Sequence, residues 1–477
     1  MQTKIGLLCD RILEGAWLLA IVAVPVFFNI YSSRVYEPDK LTFLRSLSVF
    51  IAAVWLIRLI EQGWRWPSER DGSEGRGLGV LIKDTPLALP TLLLVGVYIL
   101  TTITSIVPGV SLWGSYQRLQ GTYTTLSYIV IFAVMVQTLR TRAQVDRLVT
   151  VAILVSVPIS FYGILQHYGL DPLPWVGDVT SRIASNMGNA IFVGAYLIMI
   201  APLTWARAFD AFAALLLEEE GSAADVVRGA IYVFIAALQM IAIYWSGSRG
   251  PQLGLLAGGL FFLLVLGFVR RWRWLVWGTV GLGLAGVIFL VLLNVPSGPL
   301  EPLKTDRYVG RLGKVFETER GTGRVRVLIW QGAIDLILPH EPLQYPEGPK
   351  DEDPLNVLRP LIGYGPEAMW VAYNRFYPPE LGQVEARNAS PDRSHNETFD
   401  ALVITGLVGF VVYMLLFASV FYYGFKWLGL IRSQRERNFF AALWGIIKLE
   451  LLQSASILHH FALKSKTMFP GHSICLC

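Results

Sequence analysis

Charge is scarce in this chain of 477 residues: Asp, Glu, Lys and Arg make up 16% of it, where a water-soluble domain carries roughly a quarter. That deficit excludes an ordinary soluble globule, which could not cover its surface. Cysteine is nearly absent. Cys9 stands alone, and Cys475 and Cys477 lie two apart near the end, so neither a disulfide framework nor a zinc spacing can be assembled. There are only six histidines. No Walker loop, dinucleotide fingerprint or redox ligand set occurs, so no cofactor and no metal are expected. Internal repeats and low-complexity domains are also missing. The net charge of +5 is distributed over the ends of apolar runs, so nucleic acid is not an expected partner.

What remains is apolar. Hydrophobic residues make up 54%, mean hydropathy is +0.50, and fifteen Trp and nineteen Tyr suit interfacial belts. The composition points to an all-α polytopic membrane protein. A bilayer is crossed by a helix of about 20 apolar residues. Runs of that kind lie near 12–31, 41–60, 87–106, 122–139, 148–166, 188–209, 226–245, 251–269, 273–293 and 399–424. An eleventh starts near 439 and weakens after Ile447, giving about 11 transmembrane helices. The first run is too long for a signal-peptide core and reads as a retained helix. Pro25 and Pro202 fall inside spans, where they are expected to introduce kinks.

Lys and Arg divide the connections into two sets. They recur at 4–11, 58–83, 140–147, 207–228, 270–273 and 426–437, whereas the alternate connections hold Arg34 and Lys40, then Arg118, Arg182 and Arg249 singly. The positive-inside rule makes the N-terminus cytoplasmic and the 294–398 connection extracytoplasmic, in an inner (plasma) membrane. The chain then divides into an N-terminal bundle of about nine helices (1–293), an extracytoplasmic loop domain (294–398), and C-terminal helices with an atypical tail (399–477). Inside the loop, 323–338 has apolar residues at helical spacing and 363–381 reads as turn, short helix, turn. The cytoplasmic connections at 62–86 and 217–225 look like flexible charged loops.

The stretch "PDRSHNETFDALVITGLVGF" (391–410) joins a polar segment to an apolar run. Ser394 and Glu397 fit a capping box, which would place His395 in the first helical turn. The positive end of the helix dipole favours a neutral ring there, able to accept a proton. Asp392, Glu397 and Asp400 act in the opposite sense, and a plain surface histidine at a cap is the alternative. Arg118, Arg182, Arg249 and Arg326 all fall on the face that normally lacks basic residues. One arginine alone can be a side chain snorkelling to lipid phosphate. Four together suggest an anionic ligand, because the guanidinium fork binds phosphate oxygens bidentately. Arg249 also sits between Gly247 and Gly250, ahead of Pro251 at a helix start suited to an anion. "KDEDP" (350–354) offers carboxylates for a divalent cation but reads better as a solvated loop.

One candidate base and several cations suit transfer of a group from a lipid pyrophosphate to a hydroxyl. The arginines would stabilise the leaving group and the histidine would take the hydroxyl proton. "YWSGSRGPQLGLLAGG", "GRVRVLIWQGA", "LIGYGPEAMW" and "PDRSHNETFDALVITGLVG" resemble successive blocks of the O-antigen ligase and O-antigen polymerase superfamily. "SLWGSYQRLQGTYTTLSY" and "GNAIFVGAYLIMIAPL" resemble its earlier helices. The likeness covers most of 10–445, with a ligase-related core about 226–445.

This resemblance implies a GT-C-like glycosyltransferase that moves glycan from undecaprenyl pyrophosphate to a lipid, glycan or protein acceptor. The implied reaction is inverting and metal-independent. It implies His395 as base and Arg249 and Arg326 as pyrophosphate ligands; Arg118 and Arg182 join them from sidedness alone. A transporter or flippase for lipid-linked saccharide and a non-catalytic scaffold are the other readings. The C-terminal run departs from the family pattern. After Ile447 come Lys448 and Glu450, then "HHFALKSKTMFPGHSICLC", an expected altered or truncated reading of a longer gene. His459 and His460 there are read as incidental.

Overall fold

The structure, a computed structural model, describes residues 3–32, 36–62, 85–173, 175, 177–217, 222–306, 309–315, 321–344, 352–385 and 389–431. The eleventh apolar run, the tail with His459 and His460, most of the 62–86 connection and Asp351 lie outside the described residues. The protein is all-helical. The helices are α1 (Lys4–Val26), α2 (Pro38–Gln62), α3 (Ala88–Ile103), α4 (Pro108–Trp113), α5 (Thr122–Thr138), α6 (Arg142–His167), α7 (Ala190–Leu217) and α8 (Ala223–Trp245), followed by α9 (Arg249–Arg270) and α10 (Arg273–Asn294). Short helices α11 (Val309–Leu312), α13 (Arg359–Ile362), α14 (Met369–Ala372) and α15 (Leu381–Val384) flank the longer α12 (Gly321–Ile337), and α16 (Glu397–Trp427) closes the described chain.

Each of the first ten apolar runs coincides with one of the long helices. Seven, namely α2, α6, α7, α8, α9, α10 and α16, are long and apolar enough to cross a membrane by length and composition. α3 and α5 are apolar but shorter. α1 carries Asp10, Arg11 and Glu14 in its first half. Those charges are used: Arg58 Nε donates to Asp10 at 2.5 Å, and Glu14 accepts from Gln144 at 2.9 Å and from Arg147 at 2.7 Å. Together with the Arg207–Asp146 pair at 2.7 Å these bonds gather one end of the bundle. α6 begins there with a reciprocal Thr141–Gln144 capping box.

The opposite end is built from loops. Pro25 lies in the last turn of α1, where the final carbonyls lack intrahelical donors. Asn186 Nδ2 donates to the oxygens of Pro25 and Val26 at 2.6 and 2.8 Å, and Lys40 Nζ donates to Pro25 O at 3.3 Å. Arg45, buried in α2, reaches across to Thr124 Oγ1 at 2.7 Å and to the carbonyls of Trp113 and Leu119 at 2.6 Å each. It thereby fixes the 114–121 loop that carries Arg118.

α12 realises the amphipathic pattern expected at 323–338. Its buried residues Leu328, Ile329, Ala333 and Leu336 form a small core with Tyr364, Met369, Tyr373, Leu381 and Val403. The 363–381 stretch is turn, α14, a 3-10 turn at Tyr373–Phe376, and turn. The KDEDP stretch differs from expectation. Asp353 is buried rather than solvated, and both its oxygens accept from Arg359, at 2.7 and 2.9 Å. Arg359 Nη1 also donates to Thr104 O and Gly363 O, which ties the end of α3 to the loop region.

α16 is not one continuous span. Gly406 interrupts it at φ 65°, ψ −172°, a conformation essentially restricted to glycine. The break is filled by the 361–365 backbone: Tyr364 N donates to Val403 O at 2.8 Å and Gly365 N to Ile404 O at 3.0 Å. A Cβ on Gly363 would lie 2.5 Å from Ile404 O, and one on Gly406 would lie 2.3 Å from Leu361 C. The glycines of "GYGP" and of "TGLVG" are therefore two halves of one backbone-to-backbone joint.

Candidate active site

The segment 391–396 runs into α16. The expected Ser394–Glu397 capping box does not form. Asn396 is the cap, its Oδ1 accepting from Thr398 N at 3.0 Å. Ser394 is buried instead: its N–H donates to Asp400 Oδ1 at 2.6 Å, and its hydroxyl bridges back to Asn396 at 2.9 and 3.2 Å. His395 therefore precedes the helix rather than occupying its first turn. It is exposed, and its φ is +57°. A non-glycine residue in the left-handed region costs about 1–2 kcal/mol and persists only where the surroundings impose it. Here the Ser394 and Asn396 bonds on either side impose it.

Trp330 of α12 donates Nε1–H to Ser394 O at 2.9 Å, next to His395. Arg326 lies four residues earlier on α12, on the same helix face, and is exposed. One hydrogen bond thus brings the predicted base and a predicted pyrophosphate arginine into one neighbourhood. Arg118 reaches the same segment differently. Its Nε pairs with Asp392, and its Nη1 lies 3.7 Å from Glu37. Burial works against the Arg118 cation, but Asp392 outweighs it, with Glu37 and Glu367 adding, so its pKa is held above the ordinary arginine value. Arg118 is thus already paired with carboxylates. Glu367 accepts from the backbone N–H groups of Ser115 and Gln120, and Arg393 donates to Gln120 Oε1, so the 114–121 loop and the His395 segment are laced together.

Below this lacing, between α3 and the two limbs of α16, lies a cavity of about 150 Å³. Gln120, Glu367, Asp392, Arg393, Glu397 and Asp400 line it together with Tyr98 and Tyr413. His395 is two residues from both Arg393 and Glu397 in sequence.

Arg182 and Arg249 form a second group. Arg182 donates to Ser246 O at 3.3 Å and Ser248 Oγ at 3.2 Å, which seats it on the turn between α8 and α9. Arg249 opens α9, and its Nη1 donates to Lys314 O at 2.5 Å. Burial first, then the cations Arg311 and Arg249, pull the Arg182 pKa below its usual value.

Residues 231–343, from α8 through α12, match the family model described as O-antigen ligase. That stretch is similar to the O-antigen ligase family. Arg249, Arg311, Arg326 and Trp330 fall inside that match, whereas His395, Arg118 and Arg182 fall outside it. No curated protein and no solved structure matches the chain. The similarity lies within a bundle of helices long and apolar enough to cross a membrane, as expected of a polytopic membrane protein.

Sequence reasoning missed Trp330, Glu367, Arg393 and Arg311. Trp330 fits the apolar pattern of an amphipathic helix, which gives no sign of its bond to Ser394 O. Glu367 and Arg393 act through partners more than 240 residues away. Nothing in their local sequence signals that.

Proposed function

We propose that the chain is a glycosyltransferase that moves a glycan from a polyprenyl (undecaprenyl) pyrophosphate to a hydroxyl acceptor on the extracytoplasmic face. The acceptor hydroxyl oxygen attacks the anomeric carbon as the bond to the diphosphate oxygen breaks. The hydroxyl proton passes to the His395 ring, and the diphosphate leaves with its charge held by Arg249 and Arg326. A single displacement of this kind inverts the anomeric centre and asks nothing of a metal.

The observation that carries this reading is the Trp330–Ser394 hydrogen bond. It couples α12, which bears Arg326 within the stretch similar to O-antigen ligase, to the strained, exposed His395. Two further arginines take part. Arg118 belongs to the reading as a residue that holds the His395 segment, Arg182 as a neighbour of Arg249. The positive-inside count supports a cytoplasmic N-terminus and an extracytoplasmic 294–398 region in the inner membrane.

The test uses purified protein, a polyprenyl-pyrophosphate glycan and a choice of lipid, glycan and peptide acceptors. Product on a new acceptor makes the chain a ligase, and lengthened donor glycan makes it a polymerase. His395→Ala should lower turnover by at least ~100-fold, the scale of a lost general base, with expression unchanged. Undiminished turnover in that variant removes the base assignment.

A further inference from the structure

The cavity between α3 and the two limbs of α16 holds side chains that the proposed transfer does not use. Four carboxyl groups line it, those of Glu367, Asp392, Glu397 and Asp400, against one guanidinium, Arg393. Two of the four have donors. Glu367 accepts from Ser115 N and Gln120 N, and Asp392 pairs with Arg118. Arg393 is turned to Gln120 Oε1. Glu397 faces Tyr98 and Tyr413, which also line the cavity. Asp400 differs from the other three in burial: it is only 5% exposed, and its Oδ1 accepts from Ser394 N at 2.6 Å. Its second oxygen has no donor among the described residues.

A buried carboxyl oxygen without a donor is costly, and a ligand that brings an O–H group would remove that cost. The lining also selects by charge. A ligand carboxylate or phosphate placed here would meet like charges at short range, whereas a neutral group rich in hydroxyls would not. Tyrosine offers an apolar face beside a polar tip, which suits the mixed C–H and O–H surface of a sugar. The volume of about 150 Å³ is below the roughly 300–1,000 Å³ of pockets for drug-sized ligands, so it suits one ring rather than a chain. Arg393 and Glu397 line the cavity and stand two residues before and after His395, so a ring seated there is beside the proposed base.

We propose that this cavity seats the terminal sugar of the acceptor, that the second oxygen of Asp400 accepts a hydrogen bond from one of its hydroxyls, and that the carboxyl lining excludes acidic sugars. This rests on the glycosyl transfer proposed above and adds to it the charge class of the acceptor. The cavity is separate from the Arg182 and Arg249 group and makes no claim on the donor.

Binding is measured by saturation-transfer NMR with the full-length protein in nanodiscs. The probes are the methyl glycosides of glucose, galactose and mannose and of the three matching uronic acids, each pair differing by one carboxylate. At least one neutral glycoside should bind, about tenfold or more tightly than its uronic acid. Asp400→Asn keeps an oxygen for Ser394 N and replaces the second oxygen by an N–H donor. It should weaken binding of the neutral sugar roughly tenfold, the scale of one hydrogen bond to a charged group, and narrow the gap within the pair. Glu397→Gln removes an exposed carboxyl and should also narrow the gap, which keeps the test open if Asp400→Asn fails to fold. A merely structural role for Asp400 would lower the unfolding temperature and leave the ratio within the pair unchanged. Equal binding within every pair, no binding of any probe, or an unchanged ratio in both variants overturns the proposal. If a neutral sugar binds as described but no glycan is transferred to any acceptor, the transfer reading fails and the saccharide site stands. If neutral and acidic acceptors are glycosylated alike, the charge selection fails and the transfer reading stands.

Discussion

Replacing Gly406 by alanine tests the joint on which the candidate site depends. At φ 65°, ψ −172° an L-residue is strained by roughly 1–3 kcal/mol. The new Cβ would also lie 2.3 Å from the Leu361 carbonyl carbon and oxygen and 2.5 Å from Ile362 N. These are backbone atoms. They cannot swing aside, because the next residues are hydrogen-bonded to Val403 and Ile404 at 2.8 and 3.0 Å. Overpacking of this kind adds roughly 1–3 kcal/mol. The sum, about 2–6 kcal/mol, is a large part of an ordinary folding free energy of 5–15 kcal/mol. Gly424, in the same α16, is the control: it is helical, and nothing lies within 4 Å of its added Cβ. Thermal unfolding of both variants in one detergent at one scan rate should show a clear fall for Gly406→Ala and none for Gly424→Ala. Turnover should fall with Gly406→Ala too, since the first limb of α16 positions His395. Native stability and turnover in that variant would refute both the broken-helix joint and its role in the site.

Three other perturbations probe separate parts of the structure. Asp353→Asn leaves the buried Arg359 guanidinium without its anion and should cost about 3–5 kcal/mol; an Asp353→Leu, Arg359→Met double variant should be less damaged, and a double-mutant cycle in the unfolding assay checks this. Trp330→Phe removes the bond to Ser394 O, worth about 0.5–1.5 kcal/mol; kcat should fall up to about tenfold while KM for the donor holds, and a change confined to KM would move Trp330 to donor binding. Asp171 concerns pH. Burial disfavours its charge, but donors from Leu173 N, Gln166, Tyr162 and Trp175 overcome that and hold its pKa below the usual carboxylate range. A depressed folded pKa gives stability that is present above the unfolded value, near 4, and is lost as pH falls through the folded value. The stability gap between the protein and Asp171→Asn should therefore be constant near neutrality and shrink below about pH 4; a gap that widens in acid contradicts the assignment.

The helices were legible because a bilayer imposes a simple rule. A backbone in hydrocarbon must satisfy its own hydrogen bonds, so an apolar run of sufficient length becomes a helix whatever surrounds it. The apolar runs from 12–31 to 399–424 follow from that rule, as does α12 from its periodicity. The exceptions are informative. Pro25 looks like a mid-span residue in the sequence and lies in the last turn of α1, where Asn186 and Lys40 both donate to its carbonyl. The 399–424 run looked continuous and is broken, because the hydropathy of Thr405-Gly406-Leu407 carries no trace of the 361–365 segment that enters there.

His395, Arg249 and Arg326 could be singled out from one sequence because a basic or titratable group beside an apolar run is conspicuous. Their company could not. A hydrogen bond such as Trp330 to Ser394, 64 residues apart, exists only once both segments have folded. The same holds for the pairing of Arg118 with Asp392 and for the seating of Arg182 on the turn before Arg249. Composition and spacing alone thus determined that the chain is a membrane bundle and which charged groups stand out from it. Only the tertiary structure decided that Asp353 is a buried counter-ion, that His395 stands outside its helix, and how the arginines divide into two groups. The physical reason is range. Helix formation in an apolar medium is local, whereas ion pairs and caps depend on where distant backbone segments meet.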